Sequence, residues 1–327
     1  MTVESTRPET PETAGQPVAP SSESTAELVV VGETPVIGGV SPVRPPMPVV
    51  LVLSLAAAAI LAVLAGFLAV FAFGLSALQE QRSQHQLYAS FRGLLDPSSP
   101  IAPRIGGAIP PGTPVAVISA PAAGLTRVVV VEGTSSGDLM KGPGHMRDTP
   151  LPGQAGQSIV MGKSVMADGP FRHLTRLRAG DPITVVTGQS TFTFRVIDNR
   201  SGGSPLPAVP TGGSLLTLAT STGSGWLGRF APSHVVYVDA ALTGRVASTP
   251  AGRPVAVPTA ELPGRGDPGS WPYLIFWLQA MLVVGVVAVW SWRRWGRWQT
   301  WLVATPIVIG VMWGVAQEAV SLLPNVM

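Results

Sequence analysis

The chain has 327 residues, with 37 glycines, 33 prolines and only 12% charged residues, proportions that point away from a single soluble domain. Its formal charge of +3 rests on scattered arginines and just two lysines, Lys141 and Lys163, so it carries no nucleic-acid footprint. The lack of cysteine excludes disulfides, thiolate metal sites, palmitoylation and a thiol nucleophile. No carboxylate cluster suggests a calcium site, and neither cofactor nor metal is implied.

Residues 1–46 hold six Glu against two Arg and are dense in Pro, Thr, Ser and Gly. Such a composition buries too little apolar surface to offset ordering entropy, and it reads as a disordered cytoplasmic tail. Residues 49–75 carry no charge, and at about 1.5 Å of rise per residue they outrun a hydrocarbon core of roughly 30 Å. With 48 residues ahead of it, this run reads as an uncleaved membrane anchor rather than a signal peptide. Residues 77–112 follow as a juxtamembrane helix to about Leu95 and then a linker broken by Pro and Gly.

From about residue 113 to 243 the pattern changes to short β-rich runs, among them TRVVVVEG, QSIVMGK, STFTFRVID, SLLTLATS and SHVVYVDAAL, each bounded by Gly, Pro, Ser or Asp. Phe192, Phe194 and Val196 share one face and Thr191, Thr193 and Arg195 the other, as a half-buried strand requires. The spacing predicts an all-β barrel or sandwich. Two short helices are expected, 135–141 opened by an N-capping serine and 170–177. Asp168 and Asp181 read as turn or cap residues.

Residues 244–270 form a Pro/Gly linker. Two further spans follow, 271–292 and 299–321, joined by a short loop bearing Arg293, Arg294 and Arg297. Basic loops stay on the cytoplasmic side, which places the first span inside to outside and the β-rich region outside the cell. Eight of the nine tryptophans lie in this hairpin, where they suit the membrane interface. Glu318, in the last turn of the third span, reads as a group near the outer interface.

The order VVVVEGTSSGDLMKGPGHMRDTPLPGQAGQSIVMGKS, PFRHLTRLRAGDPITVVT, FTFRVID and LLTLATSTG resembles the bacterial sortase family, in the forms found in actinobacteria. The resemblance covers about residues 113–243. It implies an eight-stranded β-barrel with short helices, held by the three transmembrane helices at the outer face of the membrane. In that family a Cys ending a TLxTC strand attacks the Thr–Gly bond of an LPxTG-type sorting signal, a His ending a GH strand acts as acid and base, and an Arg at the start of the last strand stabilises the oxyanion.

Carried over, the Cys position is Ser221 in TLATS and the His position is Lys163 in IVMGK. The Arg position falls near His234, with Arg229 as a further oxyanion candidate. A serine hydroxyl needs a base held against it where a thiol can reach the thiolate by itself. The sequence therefore supports an inactive, sortase-like binding or scaffold module of the cell envelope. Its partners would be the bilayer and either sorting-signal peptides or another envelope or membrane protein. A Ser/Lys transpeptidase or hydrolase is the second reading, since a buried lysine can serve a serine as base. An accessory subunit working through the hairpin is the third. His145 in GPGH and His173 in FRHL are expected to be structural.

Overall fold

The computed structural model describes residues 48–96, 104–204, 207–209, 211–223 and 234–326. The expected N-terminal tail and Arg229 lie outside the described residues. Apart from the first turn of the N-terminal helix, every feature discussed below lies in one compact unit, 52–327.

Helix α1 (Val49–Val70) passes through a π-helical turn (Phe71–Leu75) into α2 (Ser76–Leu95). At that turn the buried Ser76 hydroxyl donates to Ala72 O at 2.6 Å and accepts from Ala167 N at 3.2 Å. One side chain thus satisfies the loosened helix and ties it to a barrel loop.

The barrel strands are β1 (Pro114–Ala120), β2 (Leu125–Glu132), β3 (Gly144–His145), β4 (Gly156–Met161), β5 (Pro182–Thr187), β6 (Thr191–Ser201), β7 (Ser214–Thr222) and β8 (His234–Leu242). They close in the order β1-β2-β3-β4-β7-β8-β6-β5, so no sheet edge is left open. The eight-stranded barrel expected from the resemblance is what the chain forms. Its interior is filled by Ile118, Val130, Phe194, Leu216, Leu218 and Val238, among others. Phe192, Phe194 and Val196 point inward, and Thr191 and Arg195 are exposed.

Helix α3 (Ser136–Leu139) is capped by Ser135, whose hydroxyl accepts from Asp138 N at 3.2 Å. The helix expected over 170–177 is only a 3₁₀ turn, Leu174–Arg176. Pro170, at the head of that stretch, has no N–H to give, and the single turn suffices to bury Phe171, Leu174 and Leu177 in the core.

Helices α4 (Trp271–Trp295) and α5 (Arg297–Ser321) meet at Gly296, which has φ 102°, a conformation that favours glycine. Their close approach needs Gly314, since a Cβ there would fall 2.5 Å from the Trp277 ring. The stretches Ala57–Leu95, Pro268–Trp295 and Arg297–Ser321 are each long and apolar enough to cross a membrane.

The segment between β8 and α4 lies along the barrel. Ala247 N donates to Gly153 O at 2.8 Å, Thr134 Oγ1 donates to Glu261 O at 2.7 Å, and Arg147 pairs with Glu261. Beyond α5, Pro324 stops the helix, and Leu323, Asn325 and Val326 fold back between this segment and the barrel.

Candidate functional site

The site forms where β4 and β7 end side by side. These strands pair in parallel, with Met161 opposite Ala219, so two more residues along each bring Lys163 and Ser221 to the same end. Gly162 N donates to Ala219 O at 3.0 Å and Thr220 Oγ1 donates to Gly162 O at 2.9 Å, which carries the pairing one step further. On the other side, β8 places Val235 opposite Ser221 and the exposed His234 opposite Thr222.

Past Gly162 the chain turns, and the side chains of Lys163 and Ser164 part. Lys163 is 0% exposed, and its Nζ donates to Ser136 Oγ at 3.4 Å. Ser136 Oγ in turn reaches Val320 O at 3.4 Å, so the lysine lies near the negative end of the α5 dipole. Burial pushes the Lys163 ammonium down from 10.5 to about 7, because desolvation disfavours the charged form.

The hydroxyl that meets Ser221 belongs to Ser164, at an Oγ–Oγ distance of 2.9 Å. Ser221, 7% exposed, donates to Val326 O at 2.6 Å. Each hydroxyl has one hydrogen: that of Ser221 goes to a carbonyl and that of Ser164 to Ser221 Oγ. A carbonyl oxygen cannot take a proton away, so this arrangement holds Ser221 as a donor and does not activate it.

Ser221 also borders a cleft of about 720 Å³ lined by Phe73 of the π turn, Ala77 of α2, and Ser164, Arg172 and His173. His173, expected to be structural, is half-buried in this wall, and its imidazole is held below the ordinary range by burial and by repulsion from Arg176 and Arg172. The 164–169 loop is tightly wound, with Ala167 at φ 50° and Asp168 at φ 56°. Gly169 has φ 51°, and a Cβ there would fall 2.4 Å from Ser164 O. Gly169→Ala is therefore expected to cost about 2 kcal/mol, read as a lower thermal midpoint.

His145 lies elsewhere, buried with its Nδ1 2.9 Å from Glu132 Oε2 and its Nε2 2.9 Å from Pro150 O, which is the packing role expected of it. Asp168 pairs with Arg172, and Asp181 Oδ2 caps Arg178 N at 2.8 Å. Among the described residues no group of three His, Asp or Glu is placed to hold a metal ion.

Residues 118–223, from the middle of β1 to the end of β7, match the model of the sortase domain. Sortase D of Bacillus subtilis (strain 168) is 32% identical over 71 residues, which are 22% of this chain and 34% of that protein. The barrel region of the chain is thus similar to the sortase domain. Among solved structures, sortase E from Streptomyces avermitilis is 30% identical, with 42% of this chain and 91% of that one covered and a TM-score of 0.33. A Clostridium perfringens sortase D5 transpeptidase is 19% identical, with 50% and 98% covered and a TM-score of 0.37. The chain spans about a third of the length of the curated sortase it matches.

Of the positions assigned by the sortase resemblance, Ser221, Lys163 and His234 thus gather at one end of the barrel. Their hydrogen bonds do not join Ser221 to Lys163. Sequence reasoning missed Ser164, Ser136 and the residues after α5. The first two are ordinary loop serines with no distinguishing signal, whereas the run LPNVM at 323–327 is a visible signal for the residues after α5.

Proposed function

We propose that this chain is a membrane-anchored sortase-family protein whose barrel, outside the cell, binds an extended peptide or a protein partner in the cell envelope without transferring it. The observation that carries this reading is the fate of the Ser221 hydrogen, which is donated to the Val326 carbonyl while the Lys163 ammonium is bonded to Ser136. Among the described residues no base hydrogen-bonds to the serine, and without one a hydroxyl attacks an amide slowly. The three apolar helices support the anchor, and the arginines between the last two support an extracellular barrel.

The burial that brings Lys163 to about 7 favours a second reading, a Ser/Lys acyl-transfer enzyme acting on sorting-signal peptides. A lysine base must be able to shed its proton near working pH, and a value of about 7 leaves roughly half of this one neutral there. Treatment of the full chain in detergent micelles with a fluorophosphonate probe separates the two. The binding reading expects no labelling above that of Ser221→Ala. Labelling lost in both Ser221→Ala and Lys163→Met would establish the dyad instead.

A further inference from the structure

The residues that follow α5 are held in the manner of a bound peptide. Leu323 packs in a cluster with Phe71, Met140, Met166 and Val320. Asn325 is fully buried: its Nδ2 donates to Thr134 O at 2.8 Å and Leu262 O at 3.1 Å, its Oδ1 accepts from Gly264 N at 2.9 Å, and its backbone N donates to Arg265 O at 2.9 Å. The Val326 side chain is buried against Leu139, Met146, Met161 and Ala219. Its carbonyl accepts from Ser221 Oγ at 2.6 Å and from Ser164 N at 3.3 Å.

The side-chain amide and the backbone N–H of Asn325 are therefore matched by the barrel or by the segment between β8 and α4, and an apolar pocket takes the next side chain. Such a set of donors, acceptors and shape defines a peptide subsite. It selects an asparagine-sized amide followed by a β-branched apolar residue, whose carbonyl is presented to Ser221. We infer that this cleft is a site for extended Leu-Pro-Asn-Val-type peptides and that residues 323–326 occupy it in cis, so that a peptide offered in trans must displace them. The inference deepens the peptide-binding reading above and rests on it for the ligand in trans, but the occupancy in cis stands on the contacts just given. In a site already filled, apparent affinity is the intrinsic affinity multiplied by the fraction of chains in which the occupant is out.

The absence of cysteine gives a direct test, because Ser221→Cys introduces a single thiol. In the full chain in micelles, that thiol is expected to react with iodoacetamide at least about tenfold faster when Asn325→Ala or Val326→Asp is added, each of which loosens the occupant. Slow amide exchange retained in β1 and β2, which lie across the barrel, marks the variants that remain folded. A fluorescent acetyl-Leu-Pro-Asn-Val-Met-amide peptide is expected to bind the same two variants, with serine kept at 221, at least about tenfold more tightly than the unaltered chain. A scrambled peptide should gain nothing. An unchanged alkylation rate in folded variants overturns the occupancy in cis. Faster alkylation with no preference over the scrambled peptide upholds that occupancy and overturns the reading of the cleft as a site for peptides in trans.

Discussion

Replacing Lys163 by methionine is expected to stabilise the barrel by about 2–4 kcal/mol at pH 6, because a buried ammonium with one hydroxyl partner gives way to an apolar chain of similar length. The Lys163 ammonium is brought from 10.5 to about 7 by burial. At about 1.4 kcal/mol per pH unit, this difference corresponds to a penalty of roughly 5 kcal/mol when both folded and unfolded chains are protonated. Methionine forfeits the Ser136 bond and the attraction of the α5 carbonyls, so the net gain is smaller than the penalty. Because the folded value lies below the unfolded one, the unfolded chain binds more protons between about pH 7 and 10.5. Stability contributed through this residue therefore rises with pH across that window, and the full penalty applies below it.

The pH dependence is what separates charge from packing. Thermal unfolding of the full chain in micelles, followed by the circular dichroism of the sheet, should show a gain from Lys163→Met that is largest at pH 6 and much reduced at pH 9. An equal gain at both would mean that shape, and not the ammonium, sets the cost. A stabilised variant with unaltered peptide binding fits a vacated catalytic position. Under the Ser/Lys reading the same costly lysine would be the functional base, and its loss would abolish acylation of Ser221.

The barrel was legible because its strands obey the alternation that burial of one face imposes, as in the Phe192, Phe194 and Val196 set. The strand β3 was not, since two residues carry no periodicity and Gly144–His145 exists only through its neighbours Val131 and Val160. The candidate site was legible to the level of position. TLATS and IVMGK mark the ends of β7 and β4, and the parallel pairing of those strands brings the two ends together. Side-chain direction was not, because the turn after Gly162 decides that Ser164 meets Ser221 while Lys163 goes to Ser136. The docking of residues 323–326 depends on contacts across more than a hundred residues, from Ser221 Oγ to Val326 O and from Asn325 Nδ2 to Thr134 O. Neither composition nor local propensity reports such contacts.

Glu132→Ala is expected to destabilise the barrel by about 3–5 kcal/mol, the usual cost of removing one member of a buried charged cluster. Glu132 is fully buried, with Oε2 2.9 Å from His145 Nδ1 and Oε1 2.5 Å from Arg253 Nη1. Its loss leaves the Arg253 guanidinium, only 11% exposed, without a counter-charge. Among the described residues Arg253 Nε and Nη2 have no hydrogen-bond partner, so Arg253→Met alone should cost less, and Glu132→Ala combined with it should cost clearly less than the sum. Additive midpoints in thermal unfolding would show that the pair is not coupled. Arg253 belongs to the same segment whose Leu262 O, Gly264 N and Arg265 O hold Asn325. Releasing that segment should also loosen residues 323–326, so alkylation of Ser221→Cys should accelerate in Glu132→Ala even under conditions where β1 and β2 keep their slow amide exchange.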